Sequence, residues 1–384
     1  MHWRSKLIHP GTSVSDAFRS LAPSTHRGST ILFDSVSQAS DGWEQTRIGY
    51  TYGLYGTPTT LELAARIAEL EGAHHTFITP SGQAAIALIY FSFCGAGSHV
   101  LLPANAYGPN RELAHGLLRR CGIEVERYDP LIGSEISTLL RPETSLVWCE
   151  SPGSITMEVQ DVPAIVKAAH ARQVPVALDN TYAAGVLFDA FSFGVDVSMQ
   201  ALTKYIGGHS DLLLGSVSVQ SEEAYKRVGD THRELGMNAS PDDCTLALRG
   251  LKTLGVRLDA LEKSTLAVAS WLAQRPEIDR VLHPAFPSCP GNDAWKRDFT
   301  GSASIFSILF KPEFSETQVN AFVDTLKFFK IGWSWGGVTS LAMAYPELTR
   351  LGERHRGRIV RLNIGLEDTA DLIDDLSAAF AAIQ

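Results

Sequence analysis

Residues 144–181 read TSLVWCESPGSITMEVQDVPAIVKAAHARQVPVALDNT, and this stretch decides the fold. Its two ends, Thr144–Cys149 and Val174–Leu178, are short apolar runs of the kind that form strands buried on both faces. Between them Asp161 caps a helix whose apolar positions Val162, Ile165, Val166 and Ala169 share one face. Strand, helix and strand in succession make a crossover unit, and such units build a largely parallel sheet covered on both sides.

The same alternation extends in both directions. Upstream, a helix from about Gly82 precedes a strand at His99–Leu102, and a helix around Arg111–Arg120 precedes a strand at Ile123–Val125. Downstream come strands at Val195–Met199 and Leu212–Val219. Further towards the N-terminus, Thr59-x-x-Glu62 has the form of a capping box for a helix with Leu63, Ile67 and Leu70 on one face and Gly72 at its end. The residues before it are rich in Ser, Thr and Gly and show little periodicity. Beyond Arg249–Leu254 helical segments dominate, with shorter strands at Ser304–Phe310 and Ile359–Ile364. The expected organisation is therefore an extended arm over 1–56, an α/β domain over 57–250 and a smaller α+β domain over 251–384.

The chain has 384 residues, of which 45% are hydrophobic and 20% charged. That is ordinary for a globular protein long enough to bury its core without disulfides or metals. A net charge of −9 argues against nucleic-acid binding, which needs a basic footprint. Five scattered cysteines without a C-x-x-C pair give neither a disulfide framework nor a zinc site. They fit a reducing cytoplasm. The N-terminal residues lack the apolar stretch of a signal peptide. The longest apolar run, Ala84–Cys94, is too short for a membrane span and reads as a buried helix. A soluble, cytoplasmic protein is expected.

Four segments fall at or just beyond the predicted strand ends, where ligands of such sheets bind. Pro80-Ser81-Gly82-Gln83-Ala84-Ala85 opens a helix on small residues. The free N–H groups of such a start suit a phosphate, although an ordinary turn gives the same pattern. Asp179 directly follows an apolar strand, as a helix cap or turn former also would. Lys204, in Thr203-Lys204-Tyr205, follows another strand and precedes Gly207-Gly208-His209, which places it in the ligand-bearing layer. Arg361 lies inside an apolar strand, so it must reach solvent or hold an anion. Two-pronged recognition of a carboxylate would satisfy it. A phosphate cradle, a carboxylate, a lysine and a carboxylate-binding arginine together are the parts of a pyridoxal 5'-phosphate (PLP) enzyme acting on an amino acid. Other constellations fall away. His74 and His75 are adjacent, so on a helix their rings diverge. His209 reads as a turn residue, and Gly95 and Gly97 complete no dinucleotide fingerprint.

The segments Ala177–Thr181, Thr203–Tyr205 and Gly208–Asp211, with Asp179 and Lys204 25 residues apart, resemble the cystathionine/methionine-metabolism family of PLP enzymes. Tyr52-x-x-x-Gly56-Thr57-Pro58-Thr59, Arg249–Leu254 and Arg361–Asp368 extend the resemblance over nearly the whole chain. It implies the aspartate-aminotransferase-like type I fold, a large domain with a mostly parallel sheet plus a smaller C-terminal α+β domain. It also implies a homotetramer built from catalytic dimers. Lys204 would form the Schiff base and move the Cα proton, and Asp179 would pair with the pyridine nitrogen. Gly82 and Gln83 would offer N–H groups to the phosphate, with the Thr203 hydroxyl beside them. Tyr107 would stack on the cofactor ring. Tyr52 would reach the phosphate of the neighbouring subunit, and Arg361 would clamp the substrate carboxylate near Ser334 and Trp335.

Trp335 in Ser334–Gly337, Ser154 in Glu150–Thr156, and Asn180–Gly185 favour the β-lyase branch, which cleaves cystathionine to homocysteine, pyruvate and ammonia. The alternatives are a γ-synthase or γ-lyase, a lyase of cysteine or other S-conjugates, and an inactive binding protein of the same fold. Two positions depart from the family pattern. Leu54 stands where many members have arginine, with Arg47 as a candidate substitute, and Ala201 stands where many have serine.

Overall fold

The computed structural model describes residues 2–9, 21–345, 348–350, 353–354 and 358–383. The segment 10–20 of the expected N-terminal arm lies outside the described residues. A seven-stranded sheet contains β1 (His75–Thr79), β2 (His99–Pro103), β3 (Glu124–Tyr128), β4 (Thr144–Glu150), β5 (Val176–Asp179), β6 (Val197–Gln200) and β7 (Gly215–Val219). Their spatial order is β1-β7-β6-β5-β4-β2-β3. Strands β6 to β3 pair in parallel, and β7 alone runs against both of its neighbours. The chain thus has the mostly parallel α/β architecture its sequence implies.

The period-two geometry of a strand divides β4 between two cores. Val147 and Cys149 face a cluster that includes Ile67, Ile165 and Leu178. Leu146 and Trp148 face one built on Ile86, Ile89 and Val197. Helix Val162–His170 buries the four positions read from its sequence, and the Asp161 carboxylate accepts from the Ala164 N–H at 3.2 Å. Helix Gly82–Phe93 covers the opposite face.

A second sheet contains β8 (Ile278–Leu282), β9 (Ile305–Phe310), β10 (Lys330–Ile331), β11 (Leu341–Tyr345) and β14 (Ile359–Asn363). The ribbon of β12 (Thr349–Arg350) and β13 (Glu353–Arg354) lies between β11 and β14 in sequence. The sheet order is β10-β11-β14-β9-β8. Phe306, Phe310, Phe322 and Phe380 fill the core between this sheet and helices Glu316–Thr325 and Thr369–Ala381.

Several local expectations change. The capping box does not form, because Pro58 starts the helix and Thr57 is its N-cap without a side-chain capping bond. Proline suits a first helical position, where its missing N–H has no acceptor to lose. Thr59 instead pins the arm, with its hydroxyl accepting from the His26 N–H at 2.8 Å and donating to the Ser24 carbonyl at 2.9 Å. Strand β1 is additional to the predicted set, and it puts His75 on a strand, not a helix. Strand β7 begins only at Gly215, because the Leu214 backbone is bonded to the Thr203 hydroxyl.

The arm is anchored at separate points. Helix Trp3–Ile8 meets helix Leu254–Leu272 through Arg4 and Asp259, at 2.5 Å. Trp43 donates its indole N–H to Asp230 at 2.7 Å and occupies the space a side chain at Gly229 would need. All five cysteines are free. No helix among the described residues is long and apolar enough to cross a membrane.

Candidate active site

The C-terminal ends of β4, β5 and β6, the N-terminus of helix Gly82–Phe93 and strands β9 and β14 of the second sheet line a cavity of about 270 Å³. Eight of the residues singled out from the sequence line it: Gly82, Gln83, Tyr107, Asp179, Thr203, Lys204, Trp335 and Arg361. Ser334 reaches it by accepting a 2.6 Å hydrogen bond from the Lys204 amine. Tyr52 does not line this cavity. It lies on the arm, 45% exposed, bridged to Thr30.

At one end, Ser81 caps the helix by accepting from the Ala84 N–H at 3.0 Å. The Gly82 and Gln83 N–H groups, ahead of the helical bonding pattern, find no acceptor among the described residues. A Cβ at Gly82 would stand 2.8 Å from that of Ala201, so the helix start needs glycine to sit this close to the lysine-bearing segment. Thr203 lines the cavity, but its hydroxyl proton is spent on the Leu214 carbonyl at 3.1 Å.

Elsewhere in the lining, Asp179 closes β5. Its carboxylate accepts from the Thr181 N–H at 3.0 Å and the Thr181 hydroxyl at 2.6 Å. Burial pushes this carboxyl above its ordinary range, against the opposing pull of the Thr181 bonds and the Lys204 charge. A cation brought against it would favour the carboxylate.

The Lys204 amine lies 5.5 Å from the centroid of the Trp335 ring. Burial, then the Arg361 charge, bring its pKa down to about 8, while Asp179 pulls it back up. The loop carrying Ser334 presses against the lysine's backbone. Ser334 has φ of 104°, and at Gly336, with φ of 78°, a Cβ would come within 3.2 Å of Lys204. Arg361 is 9% exposed. It donates to the Ser334 carbonyl at 3.3 Å, lies 5.5 Å from the Tyr345 ring centroid and has no carboxylate partner among the described residues.

Two residues of this region escaped the sequence reading. Glu150 ends β4 in register with Asp179 and accepts from the Tyr107 N–H at 2.7 Å. The signal that marked Asp179, an acid directly after an apolar strand, was equally present at Cys149-Glu150. Arg257, in a helix, binds the carbonyl of Tyr205 at 2.7 Å, and nothing local marks it. His209 accordingly occupies a turn, its ring 2.8 Å from the Gly207 carbonyl. Within this chain Arg47 is engaged away from the cavity. It makes a two-pronged pair with Glu222 at 2.8 and 2.7 Å and stacks on Tyr225.

The amine gives a direct check on these electrostatics. In the cofactor-free protein, acylation of Lys204 followed by peptide mass spectrometry is expected to titrate near pH 8. Ordinary lysines titrate near 10.4. Because the Arg361 charge lowers the amine's pKa, Arg361→Leu should move that midpoint upward. A midpoint unchanged by Arg361→Leu would show that the two cations do not interact.

The donor set fits PLP. Free helix N–H groups suit its phosphate, a buried carboxylate suits its ring nitrogen, and an amine of lowered pKa suits its aldehyde. The putative cystathionine beta-lyase of Rhizobium johnstonii is 43% identical over 98% of this chain and 96% of its own length. Cystathionine beta-lyase MetC of Escherichia coli is 40% identical over 99% and 98%. The solved cystathionine gamma-lyase from Lactobacillus plantarum, complexed with L-serine, superposes over the full length of both chains with a TM-score of 0.92 at 26% identity. The profile of Cys/Met metabolism PLP-dependent enzymes matches residues 4–381. With the lysine, the acid and the anion cradle meeting in one cavity, the chain belongs to that family.

Proposed function

We propose that this enzyme is a carbon–sulfur β-lyase that cleaves cystathionine to homocysteine, pyruvate and ammonia. The observation that carries this reading is Arg361, a buried guanidinium without a carboxylate partner among the described residues, opening into the same cavity as the Lys204 amine. One fixes an amino acid by its carboxylate, and the other stands ready to move its proton. The relatives named beta-lyases, at 43% and 40% identity, favour the β over the γ reaction.

When bound, PLP supplies an electron sink conjugated to the substrate's Cα. Asp179 would hold positive charge at the ring nitrogen, and Gly82 and Gln83 would bind the phosphate through their N–H groups. The Thr203 side chain bolts the lysine-bearing segment to Leu214 beside them. Tyr107, its backbone N–H held by Glu150, would stack on the ring. Arg361 binds the α-carboxylate beside Ser334 and Trp335. Lys204, whose pKa is lowered to about 8 so that more of it is unprotonated near neutral pH than of an ordinary lysine, takes the Cα proton and passes it to the departing sulfur. Tyr52, exposed on the arm, would serve the neighbouring subunit's phosphate in a homotetramer of catalytic dimers. We place the cofactor domain at 57–250 and the protein in the cytoplasm, a compartment that keeps its five free cysteines reduced.

Incubating the purified holoenzyme with cystathionine and scoring keto acids and thiols tests the reading. Pyruvate and homocysteine in equal amounts are expected. 2-Oxobutyrate with cysteine would instead make it a γ-lyase. Unchanged cystathionine, with pyruvate formed from other cysteine thioethers, would leave a lyase of different substrate class.

A further inference from the structure

Arg257 is 5% exposed and has no carboxylate partner among the described residues. Burying an unpaired charge is expensive, and burial brings its pKa down to about 10. Three oxygens compensate. Nε donates to the Thr253 hydroxyl at 3.1 Å, one terminal nitrogen to the Tyr205 carbonyl at 2.7 Å, and the other to the Gly250 carbonyl at 2.8 Å. The fork therefore ties the start of helix Leu254–Leu272 to the residue that follows Lys204.

The surrounding glycines make room for this tie. A Cβ at Gly208, where φ is 72°, would stand 2.1 Å from the guanidinium. A Cβ at Gly250 would stand 2.2 Å from the Ile206 carbonyl oxygen. The turn itself closes through the Gly208 N–H, which donates to the Lys204 carbonyl at 2.7 Å. Gly336 packs closely on the same turn, where a Cβ would stand 3.1 Å from the Tyr205 nitrogen. The lysine-bearing turn is thus packed by the Ser334–Gly337 loop and tied by the guanidinium. The segment Arg249–Leu254, a family-like motif with no chemistry of its own, acquires a purpose as the floor of this clamp.

We propose that Arg257 is a positioning residue that aims the Lys204 amine into the cavity by fixing the backbone of its turn. The inference rests on Lys204 being the amine that moves the proton. A misplacement of about 1 Å in a reacting group costs on the order of 10²-fold in rate, so the effect should fall on kcat.

The test compares Arg257→Ala and Arg257→Lys holoenzymes with the parent. Arg257→Ala is expected to lose about 10²-fold in kcat with KM little changed, and to show an altered visible circular dichroism band of the bound cofactor. Guanidinium ion, added well below denaturing concentration, should restore much of the lost kcat and the band. Arg257→Lys, which keeps the charge but not the fork, should fall between. A lower melting temperature with parental kcat and band would make Arg257 merely structural and overturn the proposal, as would a kcat loss that guanidinium leaves untouched. If Arg257→Ala does not fold, Arg257→Lys decides: parental kcat and band in it would refute the proposal. Turnover surviving in Lys204→Ala would sink the underlying reading. Loss there with parental kcat in the Arg257 variants would sink this inference alone.

Discussion

Lys204→Ala is expected to lose turnover by roughly 10⁴-fold or more, together with the visible absorbance of the covalently held cofactor. The physical reason is that one amine serves two purposes in the reading advanced above. It anchors the cofactor's aldehyde and moves the substrate's proton, and proton transfer by a positioned side chain contributes about 10²–10⁴-fold on its own. No neighbour can deputise. Arg361, the other cation lining the cavity, remains protonated at any working pH. The Ser334 hydroxyl, at 2.6 Å from the amine, is too weak a base alone. Alanine leaves space without strain, so the variant should fold, and far-UV circular dichroism beside the activity assay separates lost chemistry from lost structure. Full activity in that variant would refute the assignment outright.

Asp179→Asn is expected to lower kcat by about 10²-fold while leaving the fold intact. Asparagine keeps the Oδ1 that accepts both Thr181 bonds, so the substitution removes charge and little else. A nearby anion raises a cationic partner's pKa by about 1–3 units, and each unit is about 1.4 kcal/mol. That brackets the loss between about 10- and 10³-fold. The sign for the cofactor-free protein is opposite. Burial holds the Asp179 carboxyl above its unfolded pKa, so its ionised form costs stability at neutral pH. Cofactor-free Asp179→Asn should therefore melt at the parental temperature or above it, while the loaded variant should gain less from the cofactor than the parent does. Thermal melts with and without added PLP read both effects. Parental kcat in Asp179→Asn would remove the acid from the mechanism.

How much of this was legible in the sequence depends on the range of the interactions involved. Helix Val162–His170 and strands β4 and β5 follow from local periodicity and one N-cap, and they form as read. Lys204, Asp179 and Arg361 stood out because each breaks an apolar pattern at a strand end or inside a strand. Strand β1 was missed because three of its five residues, His75, Thr76 and Thr79, are polar and their partner strand is distant in sequence. The Lys204–Ser334 bond and the Arg257–Tyr205 tie span 130 and 52 residues, and no local pattern encodes them. Thr59 shows a local rule losing to a tertiary one. Its spacing to Glu62 suits a cap, but Pro58 claims the helix start and the threonine is used to hold the arm.

Strand β7 lies between β1 and β6, and its register joins His75 to Val219 across 144 residues. A chain leaving the ribosome N-terminus first must therefore carry β1 unpaired until nearly the whole sheet has been synthesised. Contacts so distant carry a large loop-closure cost and slow folding. The last strand to be inserted, rather than the first crossover unit, should then set when the nascent chain becomes resistant to proteases. Until that moment an open sheet edge is exposed to aggregation and to chaperones.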